Sequence, residues 1–192
     1  MLKSTRGLVV MVLGMALLGL SVKATGQEGQ AMSPTPEHEL LTHCVGTWDA
    51  TIKSWMQGPD TEPLISHGTE VVRLMPGGLW AVEEFEGKFG EAPFHGHGQS
   101  GYDPLKKKYV GTWVDSMSPS IMMIEGDYDP NSKTMTSYGK GTCPRTGKPL
   151  DAKMTTLHKD KDSRVFTMFM KSDETKGEFV KMMEISYTRQ AK

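Results

Sequence analysis

The chain has 192 residues, with 22 Lys and Arg against 23 Asp and Glu and a formal net charge of −1. That balance excludes the basic face a nucleic-acid partner calls for. The length suits one domain, of the usual roughly 100–200 residues, built on a single core.

Lys3 and Arg6 precede an apolar run from Leu8 to Leu20, followed by the small-residue stretch Ala24-Thr25-Gly26. This is the layout of a secretory signal cleaved after Gly26, so residues 1–26 are read as a signal peptide and the destination as secreted or periplasmic. The run is shorter than the about 20 apolar residues that cross a bilayer, and no second one follows, so no integral membrane segment is expected after cleavage. No Cys stands near the cleavage site to take a lipid. Cleavage removes Lys3, Arg6 and Lys23 but no acid, leaving the mature chain more acidic. Residues 27–35, rich in Gly, Gln, Ser and Pro, read as a flexible leader, and 36–192 as a single domain.

Order is expected from Pro36. Thr35 stands at the N-cap position, Pro36 at the first helical one, and Glu37 near the positive helix end, with Leu40, Leu41 and Val45 on one side. The predicted helix is short and suited to plugging a barrel end.

Beyond Gly46, turn signals recur at regular intervals, among them Pro76-Gly-Gly, Asp103-Pro-Leu-Lys, Asp129-Pro-Asn-Ser and Lys159-Asp-Lys-Asp. They bound ten strand candidates at about 46–56, 64–75, 79–89, 94–102, 108–117, 120–128, 134–143, 150–158, 164–171 and 180–189. Ten sequential strands on one core would leave two open edges, which pairing of the first with the last removes. The fold class is therefore all-β, an antiparallel up-and-down barrel with a short N-terminal helix. Alternation agrees: Trp48, Ala50 and Ile52 share one face of the first strand, Asp49, Thr51 and Lys53 the other.

Gly46-Thr-Trp-Asp49, Gly101-Tyr-Asp103, the run from Lys107 to Met117 (Lys-Lys-Tyr-Val-Gly-Thr-Trp-Val-Asp-Ser-Met), the Thr146-Gly-Lys148 turn and Met183-Glu-Ile-Ser-Tyr-Thr-Arg189 follow one another in an order that resembles the bacterial domain of unknown function family DUF1579. The resemblance covers about residues 36 to 189. It implies a lipocalin-like, or calycin, barrel and says little about activity.

With the first and last strands as neighbours, Arg189 is placed to lie across the Trp48 ring, a cation–π contact worth about 0.5–2 kcal/mol. Gly46, Trp48 and Arg189 are read as structural on that ground. A barrel interior also offers a ligand cavity entered through the mouth. The lining candidates are Trp48, Phe85, Tyr102, Trp113, Met123, Met168, Met182 and Tyr187, with ordinary core packing as the alternative. Of 15 methionines, three lie in the signal, and pairs such as Met122-Met123 and Met182-Met183 stand with Met168 and Met170 in the strands. Flexible thioether side chains suit a deformable apolar pocket or simply fill gaps; a copper site would need a tighter motif.

His95-Gly-His97 puts two imidazoles on one face of a strand, a spacing that can share a metal ion, with a third ligand to come from Glu84, Glu86 or His67. Gly96 and Gly98 also mark a loose strand whose polar residues simply face water. Glu83, Glu84 and Glu86 on one strand and Asp115 on another raise acid–base chemistry, but alternation splits the glutamates between two faces, and Asp115 before Ser118-Pro is an ordinary turn-former. No Gly-x-Ser-x-Gly elbow is present, and neither Cys44 nor Cys143 sits in a motif that lowers a thiol pKa. Haem ligation would fall to His67, His95, His97 or His158, none flanked by a haem motif, and the cofactor is unassigned. Lys106-Lys-Lys108 reads as a solvated hairpin tip. Cys44 and Cys143 are either one disulfide or two buried thiols. The sequence as a whole points to an exported barrel that binds a small, largely apolar molecule. An enzyme using His95 and His97 or Glu84 and Asp115 and an envelope interaction protein with a filled core are the alternatives.

Overall fold

A computed structural model describes residues 33–55, 58, 60–143, 147–173 and 175–191. The expected signal peptide, residues 27–32 of the expected leader and the Arg145-Thr146 part of one turn lie outside them. Among the described residues no helix is long and apolar enough to cross a membrane.

Pro36–His38 form a single 3-10 turn that runs directly into α1, Glu39–Cys44. Proline fixes φ and lacks the N–H that a first turn leaves unpaired anyway, so it starts this segment at little cost. The Thr35 backbone N–H donates to His38 Nδ1 at 3.0 Å. His38 is buried and its ring meets Tyr102 edge-on at 5.9 Å.

Ten strands follow: β1 Gly46–Ser54, β2 Leu64–Leu74, β3 Trp80–Phe89, β4 Ala92–Asp103, β5 Lys108–Asp115, β6 Ser118–Asp129, β7 Thr134–Thr142, β8 Pro149–His158, β9 Ser163–Lys171 and β10 Val180–Arg189. Each pairs antiparallel with its sequence neighbours and β1 pairs with β10, closing the barrel. The closing register sets Trp48 opposite Arg189, Ala50 opposite Tyr187 and Ile52 opposite Ile185. These are the inward positions of both strands, so a slip by one residue would turn that set outward.

Beside α1, three hairpins are built on an aspartate whose carboxylate accepts backbone N–H groups of the turn: Asp103 from Leu105 and Lys106, Asp129 from Asn131, and Asp160 from Asp162. Such Asx turns fix the backbone locally. Lys106 and Lys108, at the first of these tips, stay partly exposed and form ion pairs with Glu125 and Asp127 on β6.

Leu41 of α1 packs into the main core with Trp48, Ala50, Ile52, Val72, Ala81, Phe85, Ile185 and Tyr187; Leu150, Ala152 and Met154 form a second cluster on β8. Burying the larger of these side chains, such as Leu41, Ile52, Val72, Phe85 and Met154, contributes about 1.5–3 kcal/mol each. Cys44 precedes β1 at the helix-capped end, whereas Cys143 follows β7 at the opposite end, so the two are not joined.

Candidate functional site: a lumen with a charged floor

The inward side chains do not fill the barrel. They surround a lumen of about 370 Å³ that runs from α1 toward the opposite end.

At the capped end the lining is polar. Arg164 at the start of β9 is 8% exposed and Glu70 on β2 is 6% exposed, and Arg164 Nη2 donates to Glu70 Oε2. The Arg164 guanidinium carbon lies 4.4 Å from the Trp48 ring centre and 4.5 Å from that of Tyr187. Its Nε, sealed from the lumen, has no hydrogen-bond partner among the described residues. Glu83 on β3 accepts a hydrogen bond from Ser100 Oγ at 2.9 Å; burial pushes its carboxyl above the usual range, against the Ser100 bond and the nearby His97, which lower it. Burial likewise pushes the Tyr187 hydroxyl up to about 12, with Arg164 opposing, and raises the Cys44 thiol.

Arg189 closes this end from outside the lumen. Its guanidinium sits 4.0 Å from the Trp48 ring centre and donates to the carbonyls of His43, Val45 and Lys161. Two of those carbonyls belong to the end of α1, where unpaired oxygens favour a cation. Trp48 Nε1 donates to Cys44 O at 2.9 Å, so ring and helix hold each other. Gly46, at φ 143°, lies where a Cβ would strike the Arg189 guanidinium.

Toward the mouth the lining becomes soft and apolar. Met154, Met168 and Met183 are successive cross-strand partners on β8, β9 and β10, and Met122 and Met170 stand beside them in the lining. Phe89, Phe94 and Phe166 complete the aromatic part of this wall. The Trp113 ring lies over Gly96 and Gly98: a Cβ on Gly96 would fall inside it, and one on Gly98 would lie 3.0 Å from its Cε3. Trp113 Nε1 donates to Asp115 Oδ2 at 3.1 Å, while Asp115 Oδ1 accepts from Met117 and Ser118 N–H. Asp115 thus both forms the β5–β6 turn and steers the Trp113 ring.

Of the residues singled out in the sequence, Phe85, Trp113, Met168, Met182 and Tyr187 line the lumen, and Trp48 lies in the core beneath its floor. Met123 does not belong in the lining: Met122 and Ile124 take the inward positions of β6, and Met123 between them is 65% exposed. Tyr102 faces a separate hollow of about 460 Å³ beside the helical plug, packed edge-on to Tyr109 at 5.1 Å.

His95 and His97 point outward, because the glycines between and beyond them take the inward positions of β4. His97 Nδ1 lies 2.8 Å from Glu84 Oε1 and His95 Nδ1 4.0 Å from Glu86 Oε1. His67 is also outside, 3.5 Å from Thr51 Oγ1. No group of three His, Cys, Asp or Glu converges on a metal position among the described residues. Glu84 faces out and Asp115 lines the lumen, so the two acids do not meet. Of the four histidines weighed for haem, His158 reaches the lumen; its ring meets Tyr128 edge-on at 6.0 Å and burial lowers its pKa.

The sequence reading missed Glu70 and Arg164 altogether and favoured Glu84 over Glu83. A signal existed: Arg164 is in phase with Phe166, Met168 and Met170, and Glu70 with Val72. A charge on the apolar phase of a strand marks an interior ionic group.

Among solved structures, the S-type phycobiliprotein lyase CPES from Guillardia theta is similar over 84% of this chain and 95% of its own, with a TM-score of 0.54 and 12% identity. A redesigned β-barrel matches over 79% and 95%, at a TM-score of 0.42 and 14% identity. At 12% identity the likeness to the lyase shows the fold alone. No curated protein matches the chain. The family model for proteins of unknown function, DUF1579, matches residues 33–189, so the chain belongs to that family.

Proposed function

We propose that this protein is an exported barrel that binds one small, largely apolar molecule in its lumen. The observation that carries the reading is the lumen itself, about 370 Å³ walled by methionine and aromatic side chains and capped at one end by α1. Ligand pockets of globular proteins have this size and this mostly apolar lining with few fixed polar groups. Methionine-rich walls suit it because an unbranched thioether adapts its shape to an apolar guest. The filled-core interaction protein loses its premise where such a lumen exists, and the enzymatic alternatives lose theirs where His95, His97 and Glu84 face away from it. Export rests on Lys3, Arg6, the Leu8–Leu20 run and Ala24-Thr25-Gly26.

Native mass spectrometry of the protein from its own host's envelope, compared with the same sample after denaturing extraction, tests both parts. The expected result is a chain beginning at Gln27 with one small organic adduct lost on denaturation. A protein that retains residues 1–26 contradicts the export reading. An empty protein that also takes up no apolar compound contradicts the carrier reading.

A further inference from the structure

Trp113 is presented to the lumen unlike the other rings of its wall. It is half-buried on β5 and lines the lumen while packing against the main core cluster. A Cβ on Gly96 would stand 2.2, 2.6 and 3.2 Å from its Cζ2, Cη2 and Cε2, and one on Gly98 3.0 and 3.3 Å from its Cε3 and Cζ3. Atoms from both sides of the six-membered ring thus lie against a single strand. The indole is spread flat on the inner surface of β4, and its other face is turned toward the barrel axis. Its orientation is fixed as well: Nε1–H donates to Asp115 Oδ2, and the other oxygen of that carboxylate is held by two N–H groups of the turn. Phe94 meets both Phe85 and Phe89, whereas no second aromatic ring packs on Trp113 among the described residues. Across the lumen stands β10, five strands from β5 whichever way round the barrel is followed, with Met183 and Ile185 in the lining.

We propose, resting on the lumen as the binding site, that the ligand carries a planar conjugated ring, which stacks on the open face of Trp113 with the methionine wall of β9 and β10 on its other side. Such a slot selects flatness, not apolarity alone. Two aromatic rings in offset contact gain more than the area they bury, because the negative face of one meets the positive edge of the other. Thioether sulfur makes favourable contacts with a ring on the opposite side. A saturated ring of the same skeleton keeps the apolar transfer term and loses both. Because two glycines and Asp115 set the indole before any guest arrives, stacking costs Trp113 no rotamer freedom. Trp113 is on this account the residue that decides which apolar molecules the lumen prefers.

The test titrates the protein with 2-naphthalenemethanol and with decahydro-2-naphthalenemethanol, one skeleton and one hydroxyl with and without a π system. Calorimetry is expected to show the flat probe binding about two- to tenfold tighter, although the saturated one has no less apolar surface. NMR of the indole Nε1–H groups follows the four tryptophans separately. The Trp113 signal should move with the ring current of the naphthyl probe and stay near its place with the saturated one. Trp113→Leu should bring the two affinities to parity while leaving that of the saturated probe within about twofold, and Trp113→Phe should keep part of the preference. Should Trp113→Leu fail to fold, the NMR titration of the unsubstituted protein decides the matter. Equal binding of the two probes overturns this inference and leaves the lumen reading standing. So does a preference that survives in Trp113→Leu, or naphthyl binding that leaves the Trp113 signal unmoved. No binding of either probe by a protein that circular dichroism shows folded overturns both.

Discussion

The capped end of the barrel and its mouth are held by different kinds of interaction. At the cap, Arg189, Trp48, Arg164, Glu70 and Tyr187 form one directional assembly: rings stacked by guanidiniums, α1 carbonyls paired with Arg189, a buried ion pair beneath. At the mouth the wall is Met122, Met168, Met170 and Met183 with phenylalanines, and no ion pair crosses it among the described residues lining the lumen. Directional groups fix one geometry, and adaptable side chains tolerate several. Precision is thus concentrated at the capped end of the lumen and plasticity at the opposite end.

Substitutions that break this contrast should differ in size accordingly. Glu70→Ala leaves the Arg164 charge buried and unpaired, and chemical denaturation is expected to show a loss of about 3–5 kcal/mol. Gly96→Ala drives a Cβ into the Trp113 ring; the expected loss is about 1–3 kcal/mol, with a changed near-UV circular dichroism signal from the displaced indole. Met168→Leu at the mouth conserves volume and should cost less than about 1.5 kcal/mol by the same denaturation assay.

Acidity separates the two ends as well. The folded state holds a proton on Glu83 above the ordinary carboxylate value of 4.5, while the unfolded chain releases it there. The native state therefore binds more protons between the two values, and stability falls as pH rises from about 4.5 through the elevated pKa of Glu83. Calorimetric melting points should show Glu83→Gln free of that fall, gaining on the wild type as pH rises, whereas Met168→Leu should follow the wild-type profile.

The barrel was legible because its cues are local and repeated. Turn residues such as Asp103, Asp129 and Asp160 punctuate the chain at strand spacing, and the observed strand bounds lie within about two residues of the predicted ones for nearly every strand. Closure was legible from the absence of any other partner for two edges. The site was less so, because register decides it and a single residue's phase reverses its meaning. Met122-Met123 shows this: either could face in, and only pairing with β5 and β7 sends Met122 to the lumen. In His95-Gly-His97-Gly98 the histidines drew the chemical reading, yet the glycines are the residues that shape the lumen, by leaving room for Trp113 from the next strand. That contact joins residues on different strands and has no trace in either strand's own pattern. Arg164 and Glu70, 94 positions apart, are a pair only in the closed barrel.

The central claim is an accessible lumen walled by methionines, and methyl-labelled methionine NMR tests it with controls built into the chain. On titration with n-butylbenzene, the methyl signals of Met122, Met154, Met168, Met170 and Met183 are expected to shift together and saturate, while exposed Met75 and Met123 stay in place. Shifts confined to Met75 and Met123, or none at all, would contradict a lumen that takes up an apolar guest.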